Sequence, residues 1–248
     1  MTGQTLETDG IRIVYDVTGE GPPVLLLHGG SVDSTWWGPL VPALARNHMV
    51  ITMDSRGHGR STFDERPITY RRMADDTLAL LDHLGIDRVD IVGWSDGGII
   101  ALDIALRSPE RLGKVVAYGA NFDLTGYRAG DDATPSSASE RVHVEAPNRY
   151  REQSPHPQRW DELTTNLHGM YHSEPNWSHD EMRSIQTPFL VLDGIDEEVI
   201  DIDHARLLAK LLPNGQLRLM PGTGHFAMVD RPEEFTRIVM EYLNSPES

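Results

Sequence analysis

An apolar run, Val89-Asp90-Ile91-Val92, stops at Gly93-Trp94-Ser95-Asp96-Gly97 and passes without a linker into helical periodicity over residues 99–105. A strand that becomes a helix within five residues leaves little room at the corner. Glycines two positions either side of the serine are needed there, because a Cβ would collide with the adjoining strand or helix. The serine itself is forced into a strained backbone conformation that leaves its hydroxyl exposed. With 22 glycines in 248 residues, chance alone produces such a pentapeptide in about one chain in nine. The flanking strand and helix therefore carry the inference.

Around that corner the chain alternates strand and helix signals, as an α/β sheet requires. Strands are expected at 5–7 and 12–17, forming a hairpin about Asp9-Gly10, and then at 23–27, 49–53, 89–92, 114–118, 189–192 and 216–220. Several are unbroken apolar runs, which suit a parallel sheet covered on both faces. Helical periodicities at 37–45, 73–84, 98–107, 202–212 and 232–243 supply the cover. At this length an α/β chain forms a single compact unit.

Residues 122–185 break the alternation. They are polar, loop-like at Pro135-Ser136-Ser137-Ala138-Ser139, and weakly helical at 159–171 and 179–184. Lying between two strands of the main sheet, the segment is expected to rise above the strand ends as a lid on a core of residues 1–121 and 186–248. Its aromatic residues Tyr150, Trp160, Tyr171 and Trp177 either shape a substrate pocket or pack the lid onto the body. Trp160 is taken as a candidate substrate contact.

Composition narrows the partners. The formal charge is −16, and Lys114 and Lys210 are the only lysines, so polyanions are repelled and nucleic acid and anionic membranes are poor partners. A neutral or cationic small molecule fits better. The chain has no cysteine, which excludes a disulfide scaffold and a thiolate nucleophile and fits a reducing compartment. Its first ten residues are polar, and no stretch approaches the roughly 20 apolar residues of a membrane span. A cytoplasmic location is the expectation.

Three further signatures follow other strands: Leu27-His28-Gly29-Gly30-Ser31, Asp54-Ser55-Arg56-Gly57-His58-Gly59-Arg60-Ser61 and Pro221-Gly222-Thr223-Gly224-His225-Phe226. Together with the serine corner, they make the chain resemble the α/β-hydrolase fold superfamily, serine-nucleophile branch, over nearly its full length. The stretch from Gly93 to Ile99 and Tyr118-Gly119-Ala120-Asn121 are similar to the valacyclovir-hydrolase-like (biphenyl-hydrolase-like) small esterases. The resemblance implies an α/β fold with a mostly parallel eight-stranded sheet, flanking helices and a small helical lid. It also implies hydrolysis without cofactor or metal.

A serine hydroxyl is a weak nucleophile and needs a base. His225, late in the chain in a glycine-rich loop, matches the order serine, acid, histidine. His28 is instead expected to brace its own loop by hydrogen bonding. Two fixed donors are needed for the oxyanion: the backbone N–H of Asp96 and that of Gly30, or of Ser31 if the loop register shifts by one. Ser31 is also a candidate substrate contact. The carboxylate of Asp96 either holds a substrate ammonium, as the esterase resemblance implies, or faces solvent or favours the helix N-terminus. His168 and His172, four residues apart, lack the intervening glutamate of a zinc protease, and no metal site is assigned.

Two registers compete for the acid that orients His225. Relatives show Gly-x-x-Asp where this chain reads Gly194-Ile195-Asp196-Glu197-Glu198-Val199. Gap-free spacing gives Glu197, whereas Asp196 needs a loop one residue shorter but offers the commoner side chain. Asp123 is a distant third. The expected activity is cleavage of a small carboxylic ester, lactone or aminoacyl ester through an acyl-enzyme. The alternatives are hydrolytic carbon–carbon cleavage of a dienone acid and a slow-turnover ligand receptor on the same fold.

Overall fold

The computed structural model describes residues 3–128 and 136–246. Strands β1 (Gln4–Thr8) and β2 (Ile11–Thr18) form the expected hairpin, followed by β3 (Pro23–Leu27), α1 (Leu40–Leu44), β4 (Met49–Asp54) and α2 (Tyr70–Leu84). Then come β5 (Val89–Trp94), α3 (Asp96–Arg107) and β6 (Leu112–Tyr118). Among the described residues three α-helices lie between β6 and the next strand: α4 (Ser137–Gln153), α5 (Trp160–Tyr171) and α6 (His179–Ser184). The chain finishes with β7 (Phe189–Gly194), α7 (Ile202–Leu211), β8 (Gly215–Met220), α8 (Ala227–Asp230) and α9 (Pro232–Leu243).

Among the described residues the sheet has eight strands in the order β1-β2-β4-β3-β5-β6-β7-β8. Only the β1–β2 and β2–β4 pairs are antiparallel. Leu25 and Leu27 face one apolar core while Val24 and Leu26 face the other. Burial on both faces is why these strands read as continuous apolar runs.

Register brings the functional loops to one rim. Leu27 pairs with Gly93, Trp94 with Tyr118, Tyr118 with Leu192, and Gly194 with Met220. The loops after β3, β5, β6, β7 and β8 therefore leave the carboxyl ends of neighbouring strands, where open α/β sheets bind ligands.

The expected loop at 135–139 is corrected in part. Pro135 lies outside the described residues, but Ser136 accepts from Ser139 N at 3.0 Å and caps α4. Serine competes for backbone hydrogen bonds, so it marks either a loop or a helix start. Here the buried series Ala138, Val142, Ala146 and Tyr150, spaced by four, decides for helix. The periodicity at 37–45 also divides, into a 3₁₀ turn at Ser34–Trp37 and the short α1, with Gly38 (φ 46°) and Pro39 between them.

Candidate active site

Ser95 stands between β5 and α3 with φ 52° and ψ −118°, a conformation costly for any side-chain-bearing residue. The neighbourhood makes it obligatory. A Cβ on Gly97 would overlap the Leu27 carbonyl, and one on Gly93 would overlap the Gly97 carbonyl. Ser95 N donates to Tyr118 O at 2.7 Å, so the corner is tied to β6.

His225 Nδ1 lies 2.9 Å from Glu197 Oε1, and both side chains are almost wholly buried. Glu197 Oε1 also accepts from Val199 N at 2.7 Å and Ile200 N at 3.0 Å, which locks the carboxylate. Burial pushes Glu197 up, but the adjacent imidazole outweighs it and holds the carboxyl below its usual range. For His225, burial alone would disfavour the cation. The Glu197 charge and hydrogen bond outweigh burial and raise its pKa.

Three further contacts seat His225. Trp94 Nε1 donates to its carbonyl at 2.9 Å, its own backbone N–H donates to Glu198 Oε2 at 2.8 Å, and the Tyr118 hydroxyl donates to the preceding Gly224 carbonyl. Gly119, with φ 59°, lies beneath the ring, where a Cβ would stand 2.8 Å from Cε1 and Nδ1.

Of the two candidate acids, the structure brings Glu197 to His225. Asp196 is exposed, with its backbone N–H donating to Thr223 O. The gap-free register therefore describes the loop. Asp123 accepts from Thr125 N and caps a 3₁₀ turn. His28 braces its loop as expected: Nε2 accepts from Ser55 N at 3.0 Å, which leaves Nδ1 to donate to Gly29 O at 2.7 Å.

Ser95 and His225 line a cavity of about 480 Å³, which also reaches Gly30, Ser31, Asp96 and Trp160. No lysine or arginine stands among the described residues lining it. Tyr171 lines it too, whereas Tyr150 is buried against Trp160 and Trp177 packs on the core, so those two aromatic residues serve packing. His168 reaches the cavity and His172 does not. A second open groove, of about 700 Å³ beside α1 and α9, has no serine among its described lining residues.

Asp96 does not face solvent. Its Oδ1 accepts from the Tyr70 hydroxyl at 2.9 Å and its Oδ2 from the Tyr171 hydroxyl at 3.0 Å. Burial raises its pKa, and the two tyrosine hydrogen bonds oppose that rise. Tyr70 and Trp94 are site residues that sequence reasoning passed over, although Thr69, which caps α2 by accepting from Arg72 N, is a legible signal for a helix beginning at Tyr70.

A sequence profile of the alpha/beta hydrolase family matches residues 24–238. The chain is 28% identical to a 2-hydroxy-6-oxo-2,4-heptadienoate hydrolase of Pseudomonas putida, covering 97% of this chain and 96% of that one. It is 27% identical to the serine hydrolase BPHL of Homo sapiens, covering 98% and 87%. Among solved structures it is similar to Est816, described as an N-acyl homoserine lactone degrading enzyme, at 27% identity and a TM-score of 0.74, covering 96% and 100%.

Proposed function

We infer the reaction from one premise: the chain belongs to the alpha/beta hydrolase family. We propose that it hydrolyses a small ester, lactone or aminoacyl ester through an acyl-enzyme. Ser95 Oγ attacks the carbonyl carbon while His225 Nε2 takes its proton, and Glu197 holds the imidazole in the Nδ1–H tautomer and stabilises the imidazolium. The backbone N–H groups of Asp96 and Gly30, with Ser31 as the alternative to Gly30, hold the oxyanion. Collapse breaks the bond to the leaving oxygen, which takes the proton from His225. Water, deprotonated by the same imidazole, then attacks the acyl carbon; the ester bond to Ser95 Oγ breaks, Oγ takes the proton back from His225, and the acid is released.

The observation that carries this reading is that His225, held by Glu197, opens onto the same cavity as the strained Ser95. Helices α4–α6 act in it as a lid whose Trp160 and Tyr171 shape the substrate space. The carboxylate of Asp96 accepts one hydrogen bond on each oxygen and retains lone pairs for a substrate ammonium. That favours a neutral or cationic substrate. A cysteine-free, strongly acidic chain suits a cytoplasmic location.

Carbon–carbon cleavage of a dienone acid is the second reading, favoured by the likeness to the heptadienoate hydrolase. Against it stands a lining that includes the Asp96 carboxyl and, among the described residues, no lysine or arginine to receive an anionic substrate. A panel of p-nitrophenyl esters of graded chain length, with aminoacyl esters, lactones and a dienone acid, tests the reading. Fast multiple turnover on esters or lactones is expected. Cleavage of the dienone acid alone overturns it, and turnover near or below about one per minute with retained product points to a receptor.

A further inference from the structure

Asp193 sits near the end of β7, four residues before Glu197, and the mechanism gives it no task. Its side chain is almost completely buried, with Oδ1 accepting from Gly194 N at 2.9 Å. Glu197 uses Oε1 for His225 and two backbone N–H groups. That leaves Oδ2 of Asp193 and Oε2 of Glu197, both buried and neither supplied with a donor by any N–H or hydroxyl among the described residues. The two carboxyl side chains lie close enough for each to perturb the other's ionisation.

Two ionised carboxylates are both acceptors, and in a buried site their charges repel. A single shared proton turns that repulsion into a hydrogen bond. Its position follows from the surroundings. Glu197 faces the imidazole of His225, which favours its anion. Asp193 faces Glu197 and Glu198 on the following loop and Tyr118 on β6, whose hydroxyl is already given to Gly224 O. Burial first, then the negative charges of Glu197 and Glu198, push Asp193 well above the usual carboxylate range. The proton therefore belongs to Asp193.

We propose that Asp193 is a positioning residue of the catalytic site, a neutral carboxylic acid that donates its proton to Glu197 Oε2 and so fixes Oε1 against His225. A glutamate has one more rotatable bond than the aspartate usual at this position, so it loses more freedom when ordered, and a second anchor offsets that. This role rests on Glu197 being the acid that orients His225.

The test compares Asp193→Asn, which keeps a neutral donor, with Asp193→Leu, which keeps similar bulk without one. Three readouts are used: infrared absorption of protonated carboxyl groups at pH 7, the NMR titration of the His225 imidazole, and ester turnover. A protonated-carboxyl band in the wild type should vanish in Asp193→Asn, whose His225 midpoint should stay within a few tenths of a unit. In Asp193→Leu, kcat should fall about tenfold or more with KM little changed, and the His225 midpoint should rise because Glu197 has lost its donor. The proposal is overturned if no such band is lost, if Asp193→Asn lowers the His225 midpoint by about a unit, as removal of a negative charge would, or if the leucine variant matches the wild type. Should the leucine variant not fold, the infrared and NMR results on Asp193→Asn decide. Neither needs turnover, so both stay readable if the hydrolase assignment itself fails on Ser95→Ala.

Discussion

Tyr171 on α5 donates its hydroxyl to Asp96 Oδ2 at 3.0 Å, so a residue of the helices between β6 and β7 is bound to the carboxylate that follows Ser95 in sequence. The other oxygen is held by Tyr70 from α2 in the core. Helices α2 and α5 thus meet at one side chain beside the candidate oxyanion loop. A Cβ on Gly30 would overlap the Tyr171 hydroxyl and stand 2.7 Å from Asp96 Oδ2.

If that carboxylate receives an ammonium, Asp96→Asn should lower kcat/KM for aminoacyl esters well over tenfold, from about 1.5–3 kcal/mol for a hydrogen bond to a charged group. Uncharged esters should barely respond. Steady-state kinetics on matched aminoacyl and plain esters check this, and equal losses on both would leave Asp96 a structural role only.

Tyr171→Phe removes one of the two donors and leaves the buried Asp96 carboxylate less well satisfied. Stability should fall by about 1–3 kcal/mol, which for a chain of this size lowers Tm by roughly 2–4 °C per kcal/mol. Differential scanning calorimetry reads it directly. A Tm equal to wild type would mean that the 3.0 Å contact adds nothing in solution.

Ser95→Ala should abolish turnover while leaving the fold intact, since alanine fits the corner as serine does and cannot attack. Purified variant retaining more than a few per cent of the ester activity would remove Ser95 from the nucleophile role. Circular dichroism of the same sample guards against misfolding as the cause.

The parts of this molecule legible in the sequence are those whose pattern is set by burial on both faces or by a glycine that nothing else can replace. All eight strands overlap their expected ranges, the buried β3–β7 because they are apolar runs, and polar ends such as Asp54 and Asp193-Gly194 extend some of them beyond those ranges. Helix α4 is hard to read in the sequence because its buried stripe is thin, the first four positions outside that stripe (Ser137, Ser139, Glu140 and Arg141) are all polar, and Pro147 interrupts the pattern. In the sequence Asp193 opens an acidic stretch, 193–203, and nothing there marks it as buried. Only the pairing of β7 between β6 and β8 turns it inward toward Glu197, and such register depends on contacts far apart in the chain. Tyr70 and Tyr171 are 101 positions apart and converge on Asp96 for the same reason.

The pH dependence follows from the Glu197–His225 pair. A general base works only when neutral, and Glu197 raises the His225 pKa above its ordinary 6.5. Activity should therefore be full above that raised value and fall as the pH drops through it. The acid limb of kcat/KM for an uncharged ester should lie on the alkaline side of 6.5, and a midpoint clearly on the acid side would show that the two groups are not coupled.

Replacing the acid separates the two candidate registers by function. Glu197→Gln leaves the imidazole without its anionic partner and free to take the wrong tautomer, so kcat should fall by about 10⁴ with KM little changed. The same change removes the main influence raising the His225 pKa, leaving burial to lower it, so whatever activity remains should show its acid limb at lower pH than in the wild type. Asp196→Asn alters an exposed side chain in the same loop and should cost little, within about ±0.5 kcal/mol in stability. Both variants should be measured side by side on one ester across the full pH range. Collapse of the Asp196 variant with survival of the Glu197 variant would show that the working loop is one residue out of register with the Glu197–His225 contact at 2.9 Å.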